Sequence, residues 1–245
     1  KMKKFLMIQK QNCDLNQNNY NLFAIEEQCM YSKVFKRIID FILSFFALVI
    51  LSPLFILLII IGALVMKGNP FFVQERPGRN ETIFKLIKFR TMTNVKDDQG
   101  NLLPDNERNS RYGNFLRKTS LDELGELLNI IKGDMSIIGP RPLLVRYLPY
   151  YTENERHRHD VRPGLTGWAQ INGRNFITWE EIFSLDVFYV NHLSFTLDLK
   201  IIFMTIKKVL FHEDITDATQ GTVDSSGRKV HDALDIERKE MNVKA

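Results

Sequence analysis

Two adjacent carboxylates, Asp122 and Glu123, stand among cations: Arg117 and Lys118 precede them, and Arg141 follows between Pro140 and Pro142. Ser120 and Glu123 have capping-box spacing, and Leu121, Leu124, Leu128 and Ile131 recur at helical intervals. The spacing predicts a helix from about Leu121 that stops at Gly133. In that frame both carboxylates fall in the first turn, where the helix dipole favours their ionised form and lowers their pKa. Such a pair could hold a divalent cation, or one member could hold it while the other attacks an electrophile. The bland reading is that both only complement the dipole.

The elements that must position this stretch begin far upstream. Residues 1–30 are polar and rich in Asn and Gln, and read as a poorly ordered or partner-dependent arm. Phe5 to Ile8 is too short for a signal-peptide core. Phe41 to Met66 carries no charged residue, and a helix of about 26 residues is roughly 39 Å long, enough for a hydrocarbon core of roughly 30 Å. Pro53 removes a helical hydrogen bond near its middle and predicts a kink or break, with Ser52 able to cap a freed backbone group. Lys33, Lys36 and Arg37 on one flank and Lys67, Arg76 and Arg79 on the other give no orientation for a spanning helix. A helix that dips into one leaflet and returns satisfies the charge pattern, and a spanning, Pro-kinked helix is the alternative. Asp40 is expected to pair with Lys36 or Arg37.

Pro70 to Gln74 and Thr82 to Phe89 read as a hairpin-like pair of strands joined through Arg76 to Asn80. Lys88 and Arg90 then share a side, where they could receive a diphosphate or merely solvate an edge strand. Asn94 to Arg111 reads as a surface loop, and Tyr147 to Asp160 as helical. His157 and His159, two apart, do not face one way on a helix, which argues against a metal site. A short strand is expected around Trp168 to Asn172. Beyond it, Gly173 would allow close backbone approach, and Arg174 could stack on or hydrogen-bond to a planar base, or simply be solvated. Leu199 to Phe211 carries lysines at the edge of a broad apolar face, fitting either a membrane-interface helix or one packed on the core.

The 245 residues, 44% apolar, suffice for a real core. A net charge of +4 does not by itself indicate nucleic acid, and two cysteines cannot build a disulfide framework in a chain of this length. Phosphate-loop, dinucleotide and zinc spacings are absent.

A series of motifs in one order resembles the bacterial sugar transferases, in particular the small monotopic polyprenyl-phosphate phosphoglycosyltransferases. They are Lys36-Arg-Ile-Ile-Asp40, Leu51-Ser-Pro-Leu54, Phe72-Val-Gln-Glu-Arg-Pro-Gly78, Lys88-Phe-Arg-Thr-Met92, Leu116 through Glu123, Lys132-Gly-Asp-Met135, Gly139-Pro-Arg-Pro142, Pro163 through Asn175, and Asp198-Leu-Lys200. The resemblance implies an α+β, mainly α fold. Residues 1–30 form an N-terminal arm, 31–67 a re-entrant membrane helix broken at Ser52-Pro53, 68–211 a small cytosolic catalytic domain with short strands and interfacial amphipathic helices, and 212–245 a polar C-terminal tail. The family's large form carries a multi-span N-terminal membrane domain, and by resemblance this sequence is expected to be of the small form without it.

The implied reaction moves a phospho-sugar from a uridine diphosphate sugar to polyprenyl phosphate, releasing uridine monophosphate and starting capsule, O-antigen, exopolysaccharide or glycoprotein synthesis. By resemblance, Asp122 is the nucleophile that forms an aspartyl phospho-sugar, and Glu123 binds Mg2+. Lys88, Arg117 and Arg141 bind phosphate oxygens and Arg174 the nucleotide. The implied location is the cytoplasmic face of the bacterial inner membrane. The partners are the donor, the lipid acceptor and membrane lipids, not nucleic acid, with a homo-oligomer and downstream glycosyltransferases as further candidates. Two other readings stay open: a non-catalytic membrane-anchored scaffold, and the same transfer without a covalent intermediate.

Overall fold

The computed structural model describes residues 30–173 and 177–211. The uncharged run lies within one helix, α1 (Lys36–Met66), entered through a π-helical turn, Tyr31–Phe35. At 31 residues it is about 46 Å long and is apolar enough to cross a membrane. Its buried residues are few and four apart: Lys36, Asp40 and Ser44 at one end, Leu58, Gly62 and Met66 at the other. That spacing is one narrow helical stripe, and Phe41, Phe45, Phe46, Val49, Ile50, Ile60 and Leu64 are exposed around it.

The expected break at Ser52-Pro53 does not divide the helix, which continues through both residues. Proline leaves the Val49 carbonyl without its usual N–H donor, and Ser52 Oγ donates to that carbonyl at 2.7 Å. The lost bond is replaced in place, as the serine before the proline suggested.

The two ends of α1 are held by different means. At the start, Lys36 Nζ lies 2.6 Å from Asp198 Oδ2, and Asp40 Oδ1 accepts from the Ile137 N–H at 3.1 Å. The expected pairing of Asp40 with Lys36 or Arg37 is therefore not formed, because each of these residues reaches a more distant buried partner. Arg37 donates to the Ile130 and Ile131 carbonyls. At the other end, Leu58 packs with Phe89 and Leu116, and Tyr112 Oη donates to the Leu58 carbonyl at 2.8 Å.

Strands β1 (Phe71–Pro77) and β2 (Ile83–Phe89) pair antiparallel with Phe72 opposite Lys88. β1 runs through Arg76 and Pro77, so the turn falls at Gly78 to Thr82, later than expected. The loop that follows closes on itself through the bridges Met92 to Asn109 and Lys96 to Leu102. Helix α2 (Arg111–Thr119), which begins where the surface loop was expected to end, is capped by Ser110 Oγ, which accepts from the Gly113 N–H.

A 3-10 turn (Leu121–Gly125) leads to α3 (Glu126–Lys132), ended by Gly133 at φ 101°. Leu127 and Ile130 of α3 close the core against Phe84, Leu86 and Met135. Parallel strands β3 (Ser136–Ile138) and β4 (Gly164–Thr166) follow. The strand expected at Trp168 to Asn172 is instead a short helix, Trp168–Ile171, because pairing with β3 is taken by the residues just before it. Tyr147 to Asp160 is helical only in short turns, interrupted at Tyr151 and Thr152.

Helices α4 (Trp179–Asn191) and α5 (Phe195–Phe211) complete the described fold. Asp198 of α5 is a buried hub: besides Lys36 it accepts from Tyr31 Oη and Tyr189 Oη, both at 2.7 Å. Phe195, Leu199, Phe203, Ile206 and Val209 remain exposed along α5, the stripe expected of an interfacial helix. The observed class is mostly helical with a few short strands.

Candidate active site

Asp122 and Glu123 sit in the 3-10 turn, one step before α3. The expected capping box is not formed: Ser120 adopts φ 55° and its side chain caps nothing, because it closes α2 and redirects the chain. The turn presses on β2 so closely that a Cβ at Gly125 would come 2.6 Å from the Ile87 carbonyl. This contact brings the carboxylates to the strand that carries Lys88.

Lys88 Nζ lies 2.8 Å from Glu123 Oε1 and 3.0 Å from Glu126 Oε1. Arg141 Nη2 reaches the same Glu123 oxygen at 3.0 Å. Three carboxylates, Asp122, Glu123 and Glu126, thus gather within two turns of chain against two cations. Burial first, and Glu123 second, push the Glu126 carboxyl up to about 7. The same two causes, in the same order, raise Asp122. The lowering expected from a helix dipole is reversed there, since a half-buried turn with a second anion beside it penalises the charge more than backbone dipoles favour it. Glu123 strengthens protonation of Arg141 in turn.

Asp122 differs from its neighbours in one respect. Among the described residues its carboxylate takes no hydrogen bond or ion pair from another side chain, whereas Glu123 and Glu126 are engaged by Lys88 or Arg141.

The Pro140-Arg141-Pro142 segment is gripped through its carbonyls. Arg158 Nη2 donates to the Arg141 carbonyl at 2.8 Å, and Arg76 Nη1 to that of Pro142 at 3.2 Å. Arg158 is itself buried, with Asp186 Oδ2 2.7 Å from Nη2 and Tyr151 Oη 3.0 Å from Nη1. Burial, reinforced by Arg141, pulls Arg76 down to about 10, and its Nε is buried without a partner.

Of the residues singled out by sequence, Lys88, Asp122, Glu123 and Arg141 come together. Arg117 is directed elsewhere: its Nε donates to Thr91 Oγ1 at 3.0 Å and its Nη1 to Asn109 Oδ1 at 3.4 Å. Arg174 lies outside the described residues. Arg90 turns to the Phe71 carbonyl at 3.3 Å, away from Glu123. His157 pairs with Asp160 at the surface, while His159 is buried edge-on to Tyr151. Glu126, Arg76 and Arg158 were missed. Glu126 had a signal, since it follows Glu123 and Asp122 by three and four positions, the spacing of helical neighbours.

Among the described residues no group of three or more His, Cys, Asp or Glu is arranged to hold a metal ion. A magnesium ion needs only one or two carboxylates beside substrate phosphates and water, and Asp122 and Glu123 supply oxygen donors of that class.

Fold and site together define a mostly helical protein with a few short strands, one long apolar helix and a carboxylate turn cradled by lysine and arginine, chemistry suited to a phosphorylated ligand. Residues 31–212 match the family model described as bacterial sugar transferase, and the chain belongs to that family. It is 49% identical over 191 residues to the uncharacterized sugar transferase EpsL of Bacillus subtilis, covering 78% of this chain and 95% of EpsL. It is 38% identical over 191 residues to the exopolysaccharide production protein ExoY of Sinorhizobium fredii, covering 71% and 84%. A UDP-glucose:undecaprenyl-phosphate glucose-1-phosphate transferase of Xanthomonas campestris is 37% identical over 192 residues, 74% of this chain but 40% of that longer protein.

Proposed function

We propose that the protein transfers a phospho-sugar from a uridine diphosphate sugar to a polyprenyl phosphate such as undecaprenyl phosphate, in the first membrane step of a polysaccharide. Family membership and the activity for which the Xanthomonas relative is named support the reaction class. The observation that carries the assignment of roles is the contrast among the three carboxylates: Glu123 and Glu126 are in direct ion pairs with Lys88 or Arg141, whereas the same two cations attract Asp122 only at longer range, leaving its oxygens without a side-chain partner among the described residues.

In this reading an Asp122 carboxylate oxygen attacks the sugar-side phosphorus of the donor. The bond from that phosphorus to the bridging oxygen breaks, and uridine monophosphate leaves with the electron pair. A phosphate oxygen of the lipid then attacks the same phosphorus and displaces Asp122, giving the polyprenyl diphosphate sugar. Lys88 and Arg141 stabilise charge on the non-bridging oxygens in both steps. Glu123 is the proposed holder of Mg2+, which when bound neutralises diphosphate charge. Arg117 and Arg174 remain candidates for donor contacts.

The packing of α1 supports a re-entrant membrane arrangement. Both of its ends pack on the same folded unit, through Asp198 and Ile137 at one end and Phe89, Leu116 and Tyr112 at the other. A straight span would separate its ends by the bilayer thickness. A helix that enters and leaves by the cytoplasmic face, bent at Ser52-Pro53, keeps both ends against the domain and exposes its apolar surface to lipid.

The test is uridine monophosphate release from a panel of uridine diphosphate sugars with undecaprenyl phosphate and magnesium. Release with one sugar that is lost in Asp122→Asn, with a phospho-sugar trapped on the wild-type protein, is the expected result. Full turnover by Asp122→Asn would overturn the nucleophile. Release with no trapped adduct favours direct transfer, and donor-independent membrane recruitment of a partner without any release favours the scaffold.

A further inference from the structure

Where α1 ends, a cavity of about 470 Å³ opens between the helix terminus and the segment after β2. Its polar lining comes from Lys67, Asn69, Arg90 and Asn94, and its apolar lining includes Val65 and Val95. Both valines are exposed, as is Leu64 on the preceding turn, so apolar surface surrounds the mouth on the side of the membrane helix.

The two cations of this cavity are not neutralised. Among the described residues neither Lys67 nor Arg90 has a carboxylate partner; Arg90 gives one Nη2 bond to the Phe71 carbonyl, and Lys67 gives none. The site cations behave differently, for Lys88 and Arg141 both rest on carboxylates. Two uncompensated cations facing one cavity repel each other and favour an anion between them. Lys67 also stands at the carboxyl end of the long apolar helix, at φ 50°, the depth at which a membrane helix meets lipid headgroups.

We propose that this cavity binds the phosphate of a membrane lipid, held by Lys67 and Arg90, with the lipid chain passing over the apolar rim along α1. The placement suits an acceptor on its way to the reacting site. Arg90 is two residues beyond Lys88, about 7 Å along an extended chain, and its N–H continues the strand pairing by donating to the Pro70 carbonyl at 2.7 Å. The phosphate chemistry is common to the polyprenyl acceptor and to bulk anionic phospholipid. The acceptor role rests on the transferase reading above; phosphate binding at this position does not.

The experiment is native mass spectrometry of the full chain released from detergent micelles, with undecaprenyl phosphate, phosphatidylglycerol or undecaprenol as the added lipid. Lys67→Asn removes the charge with a residue that tolerates positive φ, and Arg90→Gln removes the other. Each is expected to lower retention of the phosphate-bearing lipid roughly tenfold, the worth of one charge-assisted contact, and Lys67→Arg to restore it. Preference for undecaprenyl phosphate over phosphatidylglycerol assigns the acceptor, and equal retention assigns a general headgroup. Unchanged retention in Lys67→Asn, or undecaprenol held as well as its phosphate, would overturn the proposal. Because no turnover is needed, charge-dependent retention by a protein that releases no uridine monophosphate would remove the transferase reading and leave this site standing.

Discussion

Asn129 and Ile87 are joined by a hydrogen bond from the Ile87 N–H to Asn129 Oδ1 at 3.0 Å, and the same side chain donates to the Lys85 carbonyl at 2.7 Å. One amide of α3 thus occupies the place of a neighbouring strand along β2. This sets the register of Lys88 opposite Glu123 and Glu126. Asn129→Ala would leave two backbone groups of β2 unpaired in a part-buried setting, a loss on the order of 1–3 kcal/mol. Asn129→Asp keeps the acceptor but faces the Lys85 carbonyl with an anion. Both are expected to lower the melting temperature by several degrees and to lower kcat beyond what the folded fraction explains, measured by thermal unfolding and uridine monophosphate release side by side. An Asn129→Ala protein with wild-type kcat would show that Lys88 holds its position without this lock.

Glu126 makes stability depend on pH in a stated direction. Its carboxyl is raised from 4.5 to about 7 in the fold, so the folded chain binds the proton more tightly than the unfolded one. Between about pH 4.5 and 7 the folded state therefore carries the extra proton, and its contribution to stability declines as pH rises through that window. Glu126→Gln should flatten this slope and stabilise the protein above pH 7 by on the order of 2 kcal/mol. Melting temperatures of wild type and variant at pH 5 and pH 8 decide it. A larger gain at pH 5 than at pH 8 would reverse the sign.

The long apolar helix, the β1 and β2 strands and the adjacent carboxylates Asp122 and Glu123 were legible because each rests on a local pattern: an uncharged run, a turn between alternating segments, a motif of adjacent residues. The gathering of Lys88 and Arg141 on that pair was expected only through the family resemblance. The features that escaped depend on distant partners. Ser120 and Glu123 have capping-box spacing, yet Ser120 serves the preceding helix, and a capping box requires that the chain enter from the other side. Arg158 lies unremarked in the segment Tyr147 to Asp160, and only tertiary packing turns it toward Asp186 and the Arg141 carbonyl. Lys36 and Asp40, four apart, invited a local pair, and burial sent each to a different element. The pKa of Asp122 reversed for a related reason, since sequence shows the neighbouring charge but not the desolvation.

The buried Arg158 pair predicts a separation of geometry from charge. Lysine at position 158 keeps the charge but cannot span Asp186, Tyr151 and the Arg141 carbonyl with one planar fork. Arg158→Lys is expected to weaken donor binding and lower kcat together by roughly tenfold or more, as a displaced catalytic cation does. Tyr151→Phe, which removes one of the three partners, should have a smaller effect in the same direction. The kinetic constants of the two variants, read with their circular dichroism spectra, check this. Equal losses in both would mean that the Arg141 carbonyl contact is not the one that matters.

Gly125 offers a sharper test of spacing at the candidate carboxylates. A methyl group there would meet the Ile87 carbonyl at 2.6 Å, and backbone on both sides has no flexible end to give way. Gly125→Ala is expected to push the turn carrying Asp122 and Glu123 off β2, with a loss in kcat of roughly 10²-fold for a displacement near 1 Å. Gly100, where the added methyl meets nothing but φ is 85°, supplies the comparison: Gly100→Ala strains a surface turn and should leave kcat near wild type. Comparable kcat losses in both would point to general destabilisation instead.

The polar anchorage of α1 and its proline act on the same choice of topology. Pro53→Ala restores the bond to the Val49 carbonyl and straightens the helix, which favours a span, while the buried contact of Lys36 with Asp198 holds the starting end on the domain. The single substitution is therefore expected to place only a minor fraction across the membrane, and Pro53→Ala with Asp198→Asn a larger one. The chain has two cysteines, Cys13 and Cys29, both before Lys36, so a membrane-impermeant maleimide applied to intact spheroplasts reports the fraction exposed on the far side. Wild type should label only after the membrane is opened, with labelling of intact cells rising from Pro53→Ala to the double variant. Full labelling of wild type in intact cells would mean that α1 spans the bilayer, and its two buried polar and apolar anchor points would then require a different partner at one end.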